Sequence, residues 1–378
     1  MKTEALVENL KTEGVLNVVG VPCSSLKSLI WALEEDGDIM YLAATSEGEA
    51  VAIAAGIAIT GQRTAVLMQN SGLGNTVNPV TSLLNLYQIP LLFIVSRRGV
   101  PGAQDQPQHE FMGEITYKLL GLLGMREWQF RGNELDFPNN YSKYLVIDRG
   151  QLEGEPPQLS VVDWLMIKSK RFDLLGFPKT ASDERTLTRA VFFEEFFPKF
   201  KGPVAAVCST GKIARHLWSV SGMDEYYDAT FYMAGSMGCA SGFGLGVALG
   251  SRMNTIVFDG DGALLMKLGT MATIGSMSIP KSFVHVVLDN GSYDSTGGQY
   301  CSSRHISFGG LAKACGYDII FEVDTVEGLR EICKRTMPAG ATLIHARMQP
   351  GSPELPRPDY TPIDMAKRFS DFVKENPQ

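Results

Sequence analysis

Two polar corners in the second half of the chain combine residue types that can bind a metal ion. The stretch DGDG covers 259–262 and follows the apolar run NTIVF, while DNGS covers 289–292 and follows FVHVVL. Both runs predict buried strands, and the intervening ALLMKLGTMATIG predicts a helix with apolar spacing. The two corners are therefore expected to end consecutive parallel strands that a helix joins.

This arrangement is expected to place Asp261 beside Asn290, because the carboxyl ends of both strands meet at one edge of the sheet. Their oxygens, with a backbone carbonyl, suit Mg²⁺, which usually completes its octahedron with phosphate oxygens and water. Gly260 and Gly262 allow a sharp turn and a close approach to a ligand. Asp259 is interpreted only as the end of the strand. The alternative interpretation is two ordinary turns with solvated polar tips.

A second candidate site lies in the stretch SEGEAVAIAAG, residues 46–56. Ser46 and Glu49 form the capping-box pattern S-x-x-E ahead of an apolar helix. The cap gives Glu49 a structural role, whereas Glu47 needs no such role beyond a favourable interaction with the helix dipole. Glu47 is therefore the carboxylate of this stretch that is available for chemistry.

The elements that must position these residues alternate between strands and helices along the chain. Strands are expected at 15–20, 40–44, 64–69, 90–96, 203–209, 229–234, 254–259, 283–289 and 342–347. They are apolar on both faces, as in sheets that helices cover on both sides. The pattern predicts an α/β protein with two doubly wound parallel-sheet domains.

The regions outside this pattern suggest where the domains divide. The stretch 124–200 is less regular, although LSVVDWLMIK, residues 159–168, fits a final strand of the first domain. GFPKTASDERT, 176–186, has the composition of a linker. We therefore expect domains at 1–180 and 186–378, and the proline-rich QPGSPELPRPDYTP, 349–362, is expected to be an extended surface strap.

Bulk properties favour a globular protein with a small-molecule ligand. The 378 residues are 44% hydrophobic and 20% charged, and the net charge of −7 argues against a nucleic-acid or anionic-membrane partner. No apolar run reaches the roughly 18 residues of a spanning helix. The six cysteines are scattered without a CxxC motif, and the polar start KTEALVENLKTEG is not typical of a signal peptide. A cytoplasmic location is expected.

The combination of GDG, a helical crossover and a closing asparagine resembles the cofactor motif of the thiamin-diphosphate-dependent decarboxylases. This resemblance implies that Mg²⁺ is bound by Asp261, the side chain of Asn290 and the backbone carbonyl of Ser292. Asp289 stands where the family usually has a first asparagine. The implied fold has a pyrimidine-binding domain at 1–180, a diphosphate-binding domain at 186–378 and no middle domain.

Three further segments resemble the same family: CSTG (208–211), YMAGSMG (232–238) and the helix containing Glu47. Met237 is implied to bend thiamin into its V shape. Glu47 lies nine residues before Gly56, as the family glutamate does, and is implied to hydrogen-bond the pyrimidine and promote removal of the thiazolium C2 proton. The implied cofactor-binding residues are Glu47, Ser209, Thr210, Gly211, Gly235, Ser236, Met237, Gly260, Asp261, Gly262, Ala263 and Asn290.

Longer segments resemble the phosphonopyruvate decarboxylase branch of the family, among them QNSGLGNTVNPVTSL (69–83), DQPQHEFMG (105–113) and DNGSYDSTGGQ (289–299). The implied reaction, in phosphonate biosynthesis, converts a small anionic 2-keto acid, phosphonopyruvate, to phosphonoacetaldehyde and carbon dioxide. His109, interpreted as lying in a loop after the fourth strand, is a candidate proton relay, and Asp294 is either a second acid or a turn former. The candidate substrate ligands are Ser25, Lys27, Asn75, Arg97 and Arg98.

Several alternatives remain open from the residues alone. Sulfopyruvate decarboxylase is the close rival, because sulfonate and phosphonate are both tetrahedral oxyanions; another thiamin-dependent 2-keto acid decarboxylase and a non-catalytic regulatory subunit of the same fold are further alternatives. A dinucleotide site is disfavoured because GFGLG, 242–246, lies in a helical stretch and not at a strand-to-helix turn. The resemblance also implies a homodimer or homotetramer in which Glu47 and Asp261 of different subunits serve one cofactor.

Overall fold

A computed structural model describes residues 1–128, 141–154, 186–196, 203–221, 228–351 and 353–376. The chain divides into two compact units, unit 1 at Met1–Ser169 and unit 2 at Lys170–Gln378. Each unit contains one six-stranded sheet. The strand expected at 159–168 lies outside the described residues, as does the linker expected at 176–186 apart from Thr186.

Unit 1 is a parallel sheet with strand order β2-β1-β3-β4-β6-β5. Its strands are β1 (Asn17–Gly20), β2 (Met40–Ala43), β3 (Thr64–Gln69), β4 (Leu92–Arg97), β5 (Arg126–Glu127) and β6 (Lys143–Asp148). Its helices are α1 (Thr3–Thr12), α2 (Lys27–Glu35), α3 (Glu47–Ile59), α4 (Leu73–Pro79), α5 (Asn85–Tyr87) and α6 (Pro107–Leu122). The four predicted strands are confirmed, whereas β5 and β6 form within the stretch that the sequence described as less regular.

Unit 2 has the strand order β13-β14-β10-β9-β7-β8, again with parallel pairing. Its strands are β7 (Val204–Cys208), β8 (Thr230–Tyr232), β9 (Asn254–Gly260), β10 (Ser282–Asp289), β11 (Ser292–Tyr293), β12 (Gln299–Tyr300), β13 (Ile319–Val323) and β14 (Gly340–Arg347). Its helices are α7 (Arg189–Phe196), α8 (Lys212–Ser221), α9 (Ala240–Ser251), α10 (Asp261–Met266), α11 (Thr270–Ser276), α12 (Phe308–Cys315), α13 (Val326–Cys333) and α14 (Pro362–Glu375). The five predicted strands are confirmed. The additions are β13 and the short antiparallel pair β11 and β12, which lies outside the six-stranded sheet.

The apolar patterns of the sequence explain which elements form the two cores. All eight residues of β10 are buried, because helices cover both faces of a doubly wound sheet. Helix α3 is buried on every side from Gly48 to Ile57, so its sequence is apolar all round. The GFGLG stretch lies inside α9, which confirms that it is not a dinucleotide-binding turn.

Two helical predictions are refined by the structure. The helix expected after DGDG is interrupted, and α10 and α11 form instead on either side of residues 267–269. At the other end of the chain, residues 353–361 form no helix or strand, as expected for the strap, and α14 begins after Thr361 caps it. Within the described ranges, none of the helices is long and apolar enough to cross a membrane.

Candidate active site

The helix cap in unit 1 sets the position of Glu47. The Ser46 hydroxyl accepts a hydrogen bond from the Glu49 amide at 3.3 Å, which confirms half of the capping box. In a complete capping box the Glu49 carboxylate would accept a hydrogen bond from the Ser46 backbone amide. Here it accepts one from the backbone amide of the preceding residue, Thr45, at 2.8 Å. Glu47, the first residue of α3, takes no part in the cap and is half-buried.

The Glu47 carboxylate is held by residues that follow β3. The Asn75 side-chain amide donates to Glu47 Oε2 at 2.8 Å. Gly72 packs directly against the carboxyl group, and a Cβ at position 72 would lie 2.4 Å from Glu47 Cδ. Asn75 was predicted as a substrate ligand and Gly72 received no specific role; the structure makes both of them neighbours of Glu47. The sequence signal was the glycine-rich SGLGN turn at a strand's carboxyl end.

The two arginines predicted to bind substrate are both engaged in ion pairs within unit 1. Arg97, at the end of β4, makes a two-pronged pair with Asp148 at 2.7 and 2.8 Å. Arg98 makes a similar pair with Asp105, and Arg98 Nε donates at 2.8 Å. This hydrogen bond is the main reason why the pKa of Asp105 is well below its usual range. Because both guanidinium groups are paired with carboxylates, the two arginines link the end of β4 to β6 and to the segment before α6. Their role in substrate binding stays a prediction.

The remaining predicted residues of unit 1 lie on separate elements. Ser25 is part of the 3₁₀ turn Ser24–Leu26, and Lys27 begins α2 with its Nζ 5.8 Å from the centre of the Trp31 ring. His109 was interpreted as a loop residue, and that was wrong: it lies in the first turn of α6 and is half-exposed. The proline at position 107 starts this helix, since proline is favoured at the first helical position.

One residue at this edge had no assigned role in the sequence. Cys23, which follows β1, is buried, and its Sγ lies 3.2 Å from Ser96 Oγ and 3.4 Å from Gln69 Oε1. The thiol therefore links the carboxyl ends of β1, β3 and β4. Its position in GVPCSS, directly after a buried strand, was the available signal.

In unit 2, the strand register brings the two polar corners together as expected. Gly260 on β9 pairs with Leu288 on β10. The residues that follow them, Asp261 and Asp289, therefore lie beside each other at the carboxyl ends of the two strands, and Asn290 comes directly after Asp289. Asp261 and Asn290 are each only 4% exposed. The Ser303 hydroxyl donates to Asp261 Oδ2 at 2.5 Å, a contact that the sequence did not predict.

The pKa values of the two carboxylates at this edge, Asp261 and Asp289, are shifted in opposite directions. Burial, followed by the nearby charge of Asp289, raises the pKa of Asp261 to about 6. Burial also disfavours ionisation of Asp289, but the hydrogen bond from His345 at 2.9 Å, the charge of His345 and the hydrogen bonds from Asp261 and the Gly291 amide together outweigh burial and lower the pKa of Asp289. Asp289 is therefore the ionised partner in a histidine–carboxylate pair, while Asp261 is a buried carboxylate that is costly to ionise.

Asp259 is not simply the end of a strand, as the sequence suggested. It belongs to β9 and is fully buried, and its Oδ1 accepts the Gly260 amide at 3.0 Å. Its Oδ2 lies 3.7 Å from His285 Nε2 and has no hydrogen-bond partner among the described residues. Because successive residues of a strand face opposite sides of the sheet, Asp259 and Gly260 lie on different faces, and the Asp259 side chain is buried in the core.

The turn predicted to bind a diphosphate lies beside these corners. Ser209 is buried between β7 and α8, and its amide donates to the Phe258 carbonyl at 2.9 Å. The Thr210 hydroxyl donates to the Ala234 carbonyl at 3.1 Å. Gly211 precedes Lys212, whose amide at the start of α8 donates to Ser295 Oγ at 3.3 Å. The turn thus meets both the segment after β8 and the segment after β10.

The segment after β8 carries an unusual backbone conformation. Ser236 is buried and has a φ angle of 52°, in the left-handed region that non-glycine residues rarely adopt. Gly235 and Met237 on either side are half-buried. Such strained positions cluster at functional sites. Ala263, in the first turn of α10, is buried at the same edge of the sheet.

The loop after Asn290 is anchored by an ion pair. Asn290 Oδ1 accepts the Ser292 amide at 3.1 Å, and the Ser292 hydroxyl donates to Asp294 Oδ1 at 2.8 Å. The other oxygen of Asp294 accepts a bond from Arg189 at 3.1 Å, and both of these side chains are more than nine-tenths buried. These contacts favour the structural interpretation of Asp294 over the catalytic one.

Gly262 has a different neighbour from the one that the sequence suggested. A Cβ at position 262 would lie 2.3 Å from Tyr293 Cε1, so the missing side chain makes room for the tyrosine ring. A hydrogen bond with Cys301, followed by burial, raises the pKa of Tyr293. Tyr293 therefore covers the first turn of α10.

Comparison with known proteins defines the class to which this fold and site belong. Residues 2–120 match the N-terminal TPP binding domain of the thiamine pyrophosphate enzymes, and residues 205–346 match the C-terminal TPP binding domain. The chain belongs to this family. The matches and the two parallel sheets confirm the expected fold class, and thiamin diphosphate is the cofactor for which both domains are named.

The individual relatives that this chain resembles are decarboxylases. The phosphonopyruvate decarboxylase of Streptomyces viridochromogenes is 37% identical, with 98% of this chain and 95% of the relative aligned. The sulfopyruvate decarboxylase of Methanosarcina acetivorans is 29% identical over 98% of this chain and 97% of the relative. The solved benzoylformate decarboxylase from Polynucleobacter necessarius has a TM-score of 0.67, covering 94% of this chain and 99% of that chain, and its 13% identity supports the fold alone.

Proposed function

We propose that the protein is a carboxy-lyase that converts phosphonopyruvate to phosphonoacetaldehyde and carbon dioxide with thiamin diphosphate and Mg²⁺. The observation that carries this proposal is the convergence of Asp261 and Asn290 with the turn at Ser209 at one edge of unit 2. The identity of 37% to a phosphonopyruvate decarboxylase over nearly the whole chain, against 29% to a sulfopyruvate decarboxylase, favours the phosphonate substrate. Phosphonate biosynthesis is the corresponding pathway.

The residues present fit a magnesium ion bound to a diphosphate. Asp261, the Asn290 side chain and the Ser292 carbonyl would supply hard oxygen ligands. A divalent cation would offset the cost of ionising a carboxylate whose pKa burial has raised to about 6. No group of three His, Cys, Asp or Glu residues within the described ranges could hold a metal alone. That finding is consistent with Mg²⁺, which shares its coordination sphere with phosphate oxygens and water.

The residues of unit 1 would position the pyrimidine and the substrate. Bound thiamin diphosphate supplies an electron sink for the carbanion that remains when carbon dioxide leaves. Glu47, oriented by Asn75 and by close packing on Gly72, would hydrogen-bond the pyrimidine nitrogen. His109 remains the candidate proton relay, because it is half-exposed at the start of a helix.

The remaining parts of the proposal concern assembly and location. The protein would be a cytoplasmic homodimer or homotetramer without nucleic-acid or membrane partners, and Glu47 and Asp261 of different subunits would serve one cofactor. Mixing and refolding the inactive variants Glu47→Ala and Asp261→Ala tests this arrangement. In a dimer with random exchange, half of the dimers are mixed and one of their two sites is intact, so about one quarter of wild-type activity should return. No recovery would contradict a shared site.

A carbon dioxide release assay tests the reaction and its substrate directly. Phosphonopyruvate should give the highest kcat/KM, and pyruvate, which lacks the second anionic group, should be turned over poorly. Asp261→Asn should abolish turnover, whereas Lys313→Gln, which removes an exposed charge on α12, should not change it. A higher kcat/KM for sulfopyruvate would establish the alternative activity, and equal use of pyruvate would exclude both oxyanion-specific activities.

A further inference from the structure

A cavity in unit 2 is lined in part by two residues of the predicted diphosphate turn, Thr210 and Gly211. It has a volume of about 250 Å³ and lies between the start of α8, the end of β8 and the C-terminal strap. Its lining residues are Thr210, Gly211, Ala214, Arg215, Tyr232, Met233, Ala234, Arg357, Pro358, Tyr360, Pro362 and Met365. The lining contains two arginines and no aspartate or glutamate, so the lining residues carry two formal positive charges.

Neither arginine has a counter-ion within the part of the chain that the structure describes. Arg215 is half-buried, and its guanidinium makes no hydrogen bond or ion pair with a described residue; the same holds for the more exposed Arg357. The contrast with Arg97, Arg98 and Arg189 is clear, because each of those guanidinium groups is paired with a carboxylate. Two guanidinium groups without counter-ions on one cavity favour the binding of an anion there.

The wall that carries Arg357 is fixed by aromatic packing. The Tyr360 ring lies 5.0 Å from Trp218 and 6.0 Å from Tyr232, measured between ring centres. Immediately after it, Thr361 caps α14 by accepting the Asp364 amide at 3.1 Å. These contacts hold the strap against α8 and β8, so the segment carrying Arg357 borders the same cavity as Arg215.

We propose that this cavity binds a tetrahedral phosphorus oxyanion through Arg215 and Arg357, and that its source is the phosphonate of the keto-acid substrate. The identification of the source rests on the proposed function. Guanidinium forks match the geometry of phosphonate oxygens, and hydrogen bonds to a dianion are stronger than neutral ones. The cavity is contiguous with Thr210 and Gly211, so a ligand in it would be adjacent to the cofactor turn.

The test uses the holoenzyme, loaded with thiamin diphosphate and Mg²⁺, and methylphosphonate as the probe in isothermal titration calorimetry. Arg215→Gln and Arg357→Gln should each weaken methylphosphonate binding about 10- to 100-fold, the loss expected for charge-assisted hydrogen bonds. Lys313→Gln, which removes one exposed charge elsewhere in unit 2, should leave it unchanged. Because Arg357 is exposed, its replacement keeps the test valid even if Arg215→Gln does not fold.

The outcomes separate the possible sources of the oxyanion. Competition between methylphosphonate and phosphonopyruvate in the carbon dioxide assay would support the substrate as source, whereas tight, non-competitive binding of inorganic phosphate would contradict it. Unchanged methylphosphonate binding in both arginine variants would overturn the site, as would a loss confined to thiamin diphosphate affinity. Arginine-dependent binding without any turnover of phosphonopyruvate would reject the proposed function and leave the anion site standing.

Discussion

Replacing Asp261 by asparagine should stabilise the cofactor-free protein while removing its ability to hold the metal. The carboxylate is 4% exposed, and burial, with Asp289 nearby, raises its pKa from the ordinary 3.8 to about 6. A difference of about two units corresponds to roughly 3 kcal/mol of destabilisation at pH 7.5, where the group is ionised in both the folded and the unfolded chain. Asparagine keeps an oxygen for the Ser303 hydroxyl and carries no charge.

The sign of this effect fixes its pH dependence. A raised folded pKa favours the folded state while Asp261 is protonated, so the penalty is absent below about pH 4, grows as the pH rises from about 4 to about 6 and is complete above that. At pH 4.5 the variant should therefore be only about 1 kcal/mol more stable than the wild-type protein. At pH 7.5 in EDTA, the variant should need more urea.

The assay is urea unfolding of metal-free, cofactor-free protein at the two pH values, with Asp371→Asn as the control. Asp371 is an exposed carboxylate of α14, so its replacement should change the free energy of unfolding by less than about 0.5 kcal/mol. With saturating Mg²⁺ and thiamin diphosphate the order should reverse, because only the wild type gains stability from binding. Equal or lower stability of metal-free Asp261→Asn at pH 7.5 would refute the argument that burial without a cation is costly at this position.

Two further substitutions test the contacts around the site. Gly72→Ala should reduce kcat at least 100-fold, because its methyl group must displace the Glu47 carboxylate. The control Gly74→Ala, which has open space around its Cβ position, should retain activity. Equal kcat values in the two variants would contradict the importance of the packing between Gly72 and Glu47. Arg189→Gln leaves a buried carboxylate unpaired and should lower the free energy of unfolding by about 3 kcal/mol in urea titrations, against less than about 1 kcal/mol for Arg330→Gln in an exposed pair.

Much of the fold follows from local patterns. The nine predicted strands are all present because short, continuous apolar runs suit strands of a sheet that is covered on both faces. The β6 strand, Lys143–Asp148, was not predicted, since its neighbouring sequence shows no regular periodicity and its pairing with β4 depends on contacts distant in the chain. The position of His109 was wrong for a related reason: the proline at 107 begins a helix in a stretch that the sequence suggested was a loop.

Local sequence patterns are enough to predict that Asp261 and Asn290 meet, because parallel strands joined by a helical crossover bring their carboxyl ends to one edge. They also separate Glu47 from the helix cap, since capping depends on residues three apart. The sequence patterns do not show which charged side chains form ion pairs; that depends on the three-dimensional fold. Arg98 is neutralised by Asp105, seven residues along the chain, and Asp294 by Arg189, more than 100 residues away, whereas Arg215 has no such partner among the described residues. Pairing of charges depends on distances in space, which residue spacing does not specify.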